Sequence, residues 1–216
     1  METTHSKNSG EERFDVAKIF RRETWCIGES AFAVLLLLIG TSMLDGFYGS
    51  YYNLNQLVFD AFDAPVSIIG IFFGASYAVN ATAYIAADFF SSRFGKRNTM
   101  LGSMLIEAGL FMILPWFASN PLCLFGLSMV LCFLPEVVYI TSENLIQDAI
   151  ADDLRATILS VASLVRALFS AMFFSIFGYV LGLYPIQIAL GVIGAIAIAI
   201  TAVVSLKMVG IQVSKN

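Results

Sequence analysis

The stretch "LRATILSVASLVRALFSAMFF", residues 154–174, is a long apolar run with Arg166 near its middle. About 20 mostly apolar residues cross a bilayer core of ~30 Å, so the run predicts a spanning helix. Arg166 lies eleven residues past Arg155. At 1.5 Å per residue that is about 16 Å along the helix, close to the centre of the core. An arginine at that depth costs at least ~2.5 kcal/mol on insertion scales unless it meets a partner or water. The same run therefore predicts a membrane helix and a polar interior beside it.

The rest of the chain agrees with the first point. Of its 216 residues, 58 % are hydrophobic and 13 % charged, and mean hydropathy is +0.81. Soluble domains carry about 25 % charged residues. The class is an all-α polytopic membrane protein, with the lipid bilayer as its first partner. The net charge of −4, without a basic tract, argues against a nucleic-acid partner. His5 is the one histidine, in a polar tail, and no G-x-S-x-G or H-E-x-x-H stretch occurs. No metal, no cofactor and no enzymatic activity are expected. Cys26, Cys123 and Cys132 form no ligand pattern and read as small hydrophobes. The first thirty residues are polar and mixed in charge, unlike a signal peptide.

Six spans are expected, at about 31–55, 66–89, 98–118, 121–143, 156–182 and 186–208. Turn chemistry separates them: "DAFDAP", "SSRFGKRN", "ASNP", "QDAIADD" and "GLYP". The first is the weakest, because "AFAVLLLLIGTSML" must be completed by the polar "DGFYGSYYNLNQ". Basic residues orient the set. Lys7, Arg13, Lys18, Arg21, Arg22, Arg93, Lys96, Arg97, Arg155, Lys207 and Lys215 fall on one side, and the opposite loops hold none. By the positive-inside rule both termini are cytoplasmic, and the expected location is the plasma membrane. Phe14, Ala17, Ile19 and Phe20 recur at near-helical spacing in "EERFDVAKIFRRETW", as in an amphipathic surface helix. The expected division is a cytoplasmic tail with that helix at 1–30, a six-helix domain at 31–208 and a short tail at 209–216.

Polar residues form stripes at helical spacing on four of the six spans. The first carries Asp45, Gly49, Tyr52 and Gln56, and the second Tyr77, Asn80, Tyr84 and Asp88. The fourth carries Cys132, Glu136, Tyr139 and Glu143, and the fifth Ser163, Arg166 and Ser170. The third holds Glu107 and the sixth almost nothing polar, so both read as lipid-side supports. The pattern repeats after three helices, predicting two three-helix repeats. Candidate binding or coupling residues are Asp45, Tyr52, Gln56, Asn80, Glu107, Glu136, Tyr139 and Arg166. Isolated Ser, Tyr, Asn or Cys positions are more often satisfied inside a bundle than functional. Buried ions are the exception, because intramembrane charge is costly without a role. From matched depth, Glu107 or Glu136 is the expected partner of Arg166. The motifs "GIFFG" (Gly70, Gly74) and "GYVLG" (Gly178, Gly182) allow close helix approach, either within the bundle or to a partner.

Two stretches carry a resemblance. Arg155, Ala156, Thr157, Leu159 and Ser160 match an "RAT-x-LS" run that resembles the opening of the eleventh helix in bacterial major facilitator superfamily transporters. Arg93, Gly95, Lys96 and Arg97 are similar to the later positions of that family's D-R-x-G-R-R loop motif. Ser92 stands where the motif has aspartate, and Asp88 lies one turn earlier. The resemblance covers nearly the whole chain but only the C-terminal half of the family fold. It implies a half-sized secondary transporter, moving a small solute by alternating access with a second six-helix half, either a separate chain or a second copy. Protons are a candidate coupling ion, with Asp45, Glu107 and Glu136 as carriers. The alternative is a non-transporting membrane partner or a degenerate transporter fragment.

Overall fold

The computed structural model describes residues 31–117, 119–148, 150 and 155–209, without the side chains of 31–34, 36 and 207–209. The amphipathic segment at 14–20, Cys26, His5 and most of the 209–216 tail lie outside the described residues. The described residues form six helices: α1 Ala31–Ala61, α2 Val66–Phe94, α3 Lys96–Phe117, α4 Pro121–Asp148, α5 Arg155–Leu183 and α6 Ile186–Val209. Helices α2 to α6 are each long and apolar enough to cross a membrane. The molecule is an all-helical, multi-pass membrane protein.

Local chemistry sets the helix ends. Gly95 sits between α2 and α3 at φ +84°, a left-handed conformation that only glycine adopts cheaply. The expected eight-residue break there shrinks to this single residue. Asn120 caps α4, its Oδ1 accepting from the Leu122 and Cys123 amides at 3.0 and 3.3 Å, with Pro121 as first residue. The turn after α1 is made by Asp63 at φ +54°, a conformation aspartate tolerates. Helix α1 runs on to Ala61 rather than ending near 55. Tyr51, Leu54, Asn55, Val58 and Phe59 are all buried along one face there, so packing carries the helix through its polar sequence.

Helices α1 and α4 pack together at the centre. Helix α5 lies on the far flank of α1, and α2 on the far flank of α4. Helices α3 and α6 form a second layer behind them. The α1–α5 crossing is the closest in backbone terms. A Cβ on Gly46 would lie 2.7 Å from both the Phe169 Cβ and the Ser170 amide nitrogen. Ser50 Oγ donates to the Ser170 carbonyl at 2.8 Å, and Ser42 Oγ to the Ala162 carbonyl at 3.5 Å. Beside this seam the buried Phe47 ring meets Phe111, Phe173 and Phe177 edge-on at 4.9–5.6 Å.

The second layer closes through Gly194, where a Cβ would stand 3.0 Å from the Phe111 carbonyl oxygen. Pro115, inside α3, lacks the N–H that would otherwise bond that carbonyl. Helices α3 and α6 are not peripheral by burial. Within their most apolar stretches they bury 39 % and 44 % of residues, against 17 % for α2 and 11 % for α5. The uncovered helices are the two flanks of the front layer.

Candidate functional site

Arg166 projects from α5 into the front layer at mid-helix. Its Nε meets Asp45 Oδ2 of α1 at 2.5 Å, and its Nη2 meets Glu143 Oε1 of α4 at 3.5 Å. The guanidinium carbon lies 4.3 Å from the centroid of the Tyr139 ring, also on α4. The α5 cation is thus held by two carboxylates and an aromatic face from two other helices, α1 and α4. All three charged side chains keep about a quarter of their surface uncovered by this chain: 23 % for Arg166, 26 % for Asp45 and 25 % for Glu143.

This corrects the expected pairing. Neither Glu107 nor Glu136 ion-pairs with Arg166. Depth along the membrane was matched, but rotation decides: Gly46 brings α1 against α5, so the neighbouring Asp45 arrives first. Glu136 stands half-buried, within electrostatic reach of Asp45 and Arg166. Glu107 lies behind α1, fully buried, with both carboxyl oxygens unbonded.

A second polar group joins α1, α2 and α4. Tyr52 Oη and Ser76 Oγ lie 3.0 Å apart. With its amide nitrogen assigned toward two carbonyls, Asn80 donates to Cys132 at 3.3 Å and to Ser76 at 3.2 Å. Glu136 acts electrostatically on Tyr52 and so links the two groups. Of the other expected stripe members, Gln56, Tyr84 and Asp88 are exposed and join neither group, and Tyr77, also exposed, reaches Tyr52 only electrostatically.

The two motif regions sit apart from the charge cluster, at the end where α2 meets α3 and α4 approaches α5. Lys96 Nζ pairs with Asp148 Oδ2 at 2.5 Å. Arg93 lies 6.0 Å over the Phe94 ring, and Arg97 is only partly exposed. Arg155 Nη2 donates to the Gln147 carbonyl at 3.3 Å, tying the start of α5 to the end of α4. Ser160 Oγ bonds back to the Ala156 carbonyl, and Thr157 is half-buried.

The cluster holds fixed charges of both signs and an aromatic face, half-open at mid-depth. Such a surface can pair with a charged or hydrogen-bonding solute. Among the described residues no three His, Cys, Asp or Glu side chains gather as metal ligands. Glu143 is the member of the charge cluster that was not among the expected binding or coupling residues. It stood on the same stripe as Glu136 and Tyr139, seven and four residues away, and that spacing was its signal. Comparison with protein-family models, with curated proteins and with solved structures finds no match to this chain.

Proposed function

We propose that these six helices act as one half of a secondary transporter resembling the major facilitator superfamily, moving a small solute by alternating access with a second six-helix half. The observation that carries this reading is the Arg166–Asp45–Glu143 cluster. It lies at mid-depth on three helices, and none of the described residues closes its open side. Intramembrane charge so placed marks a solute or ion pathway. Helix α1 completes six crossings, both ends face the cytoplasm, and the helices group as two repeats of three. The membrane is the plasma membrane.

The bare flanks support a partner half. At Gly70, Gly74, Gly178 and Gly182 an added Cβ would meet nothing within 4 Å, so neither small-residue motif packs on another helix among the described residues. Both lie on the helices with the least buried surface, α2 and α5. Small-x-x-x-small faces left open in a bilayer suit close packing by another helix. The second half is a separate chain or a second copy.

Uptake or efflux in reconstituted vesicles tests the proposal, with a solute panel of cations, anions and neutral molecules, and with and without a pH gradient. Transport lost in Arg166→Lys, a variant that keeps the charge but not the two-sided fork, supports it. Equal flux in vesicles with and without the protein across the panel would favour the alternative, a membrane partner that does not transport.

A further inference from the structure

Behind the charge cluster lies a third polar group, and it deepens the transport reading, in which Glu107 is one of three candidate proton carriers. Glu107 projects from α3 into the seam with α1 and α6. Its exposure is 0 %, and neither carboxyl oxygen has a hydrogen-bond partner. Two hydroxyls share that seam, Tyr48 of α1 at 3 % exposure and Thr201 of α6 at 1 %. Each of these is also buried and unbonded. The Tyr48 hydroxyl lies close enough to interact with both the Glu107 carboxyl and the Thr201 hydroxyl, without the geometry of a formed hydrogen bond, so the three form one group. The Tyr48 ring stacks at 5.6 Å on Phe111, one turn beyond Glu107, which holds its hydroxyl in the seam.

Orphaned polar atoms from three helices in one seam need an occupant, because an unmet buried polar group is destabilising. The chemistry of this set selects it. A carboxylate left here would be a bare charge in hydrocarbon, so the resting group carries a proton. Yet the two hydroxyls can each donate an O–H to the carboxylate, which is what the ionised form requires. The seam is built to accommodate both states. No metal-ligand set accompanies it among the described residues.

We propose that Glu107, Tyr48 and Thr201 form a proton-binding site, separate from the Arg166 cluster. On loading, a proton from water joins the Glu107 carboxylate and the two hydroxyls turn to other acceptors. On release, the acid O–H breaks, the proton returns to water that enters as the seam loosens, and both hydroxyls donate to the carboxylate left behind. Helix α1 connects the two sites. Asp45, three residues before Tyr48, faces Arg166 on one side and acts on Glu107 on the other. The groups bearing on Glu107 are Tyr48 and Asp45 from α1 and Cys132 from α4. Helix α6 offers the Thr201 hydroxyl and no ionisable group there, while α2 turns Tyr77, Tyr84, Asp88 and Arg93 outward.

The test is infrared spectroscopy of the reconstituted full chain across about pH 5 to 9, the range in which a tuned carboxyl exchanges its proton. The expected result is an un-ionised carboxyl C=O band that disappears as pH rises and is missing in Glu107→Gln. Tyr48→Phe removes one donor to the carboxylate, so its band should persist to a pH about one unit higher. This second variant serves even where Glu107→Gln fails to fold. A Glu107 band that never titrates, or one absent throughout, overturns the proposal. A band unmoved by Tyr48→Phe removes the tyrosine and overturns the three-residue site. None of these readouts needs a transported solute, so the site can fail while the transporter reading stands, and the reverse.

Discussion

Asp45 and Glu107 are carboxyls within electrostatic reach of each other, and α1 contributes to the surroundings of both. Asp45 is a quarter exposed and pressed against a guanidinium. Glu107 is sealed, with neither carboxyl oxygen in a formed hydrogen bond and no cation against it among the described residues. Proximity does not give them the same surroundings. The rotation of α1 sends Asp45 forward into a charge cluster, while Tyr48, one turn on, points back into the seam. In the front site charge is compensated by opposite charge; in the rear site it must be compensated by a proton.

That contrast can be tested by substitution, with unfolding midpoints in mild detergent as the common measurement. The largest effect is expected for Arg166→Ala. It leaves Asp45 and Glu143 without their cation, and breaking a buried pair costs roughly 3–5 kcal/mol. Adding Asp45→Asn should recover a substantial part. An unchanged midpoint in the single variant would show that the cluster contributes nothing to the fold, and the front half of the contrast would go. Next comes Gly46→Ala, which forces a methyl against backbone across the α1–α5 seam and should cost about 1–3 kcal/mol. Gly74→Ala, facing open space, should stay within about 0.5 kcal/mol.

Glu107→Gln should be milder than either front-site change, under about 1 kcal/mol, because a neutral isostere replaces a group held neutral. A loss as large as that of Arg166→Ala would mean that Glu107 is ionised and paired at rest, and the contrast would collapse. The smallest effect belongs to Lys96→Ala. The Lys96–Asp148 pair is 38 % and 61 % exposed, so its removal should cost at most about 0.5 kcal/mol, and high salt should erase the difference.

Much of the helical layout could be read from the chain, because its causes are local. Apolar runs set the helices, and Gly95, Asn120 with Pro121, and Pro185 before α6 mark where they break. The continuation of α1 to Ala61 was hidden, since "NLNQLVFDA" looks polar until Phe59 finds Phe72 at 4.9 Å. The site was half legible. Arg166 announced itself by its cost, and Asp45 and Tyr139 by their stripes. The choice among Asp45, Glu107, Glu136 and Glu143 as its partners depended on how each helix is turned about its axis. That turn comes from contacts such as Gly46 against Ser170, which join residues far apart in the chain. Gln56 and Tyr77 fit their stripes equally well and still point away from the cluster.

Gly46 also bears on how related sequences would vary. The atoms that an added Cβ would strike are the Phe169 Cβ, the Phe169 carbonyl carbon and the Ser170 nitrogen. Nearly every amino acid has these atoms, so trimming the side chain at 169 cannot make room. Only a wider gap between α1 and α5 can, and that gap would draw Arg166 away from Asp45, the residue next to Gly46. Glycine at 46, acid at 45 and arginine at 166 should therefore be inherited as a set. A lineage that loses the glycine should soon lose the charges as well.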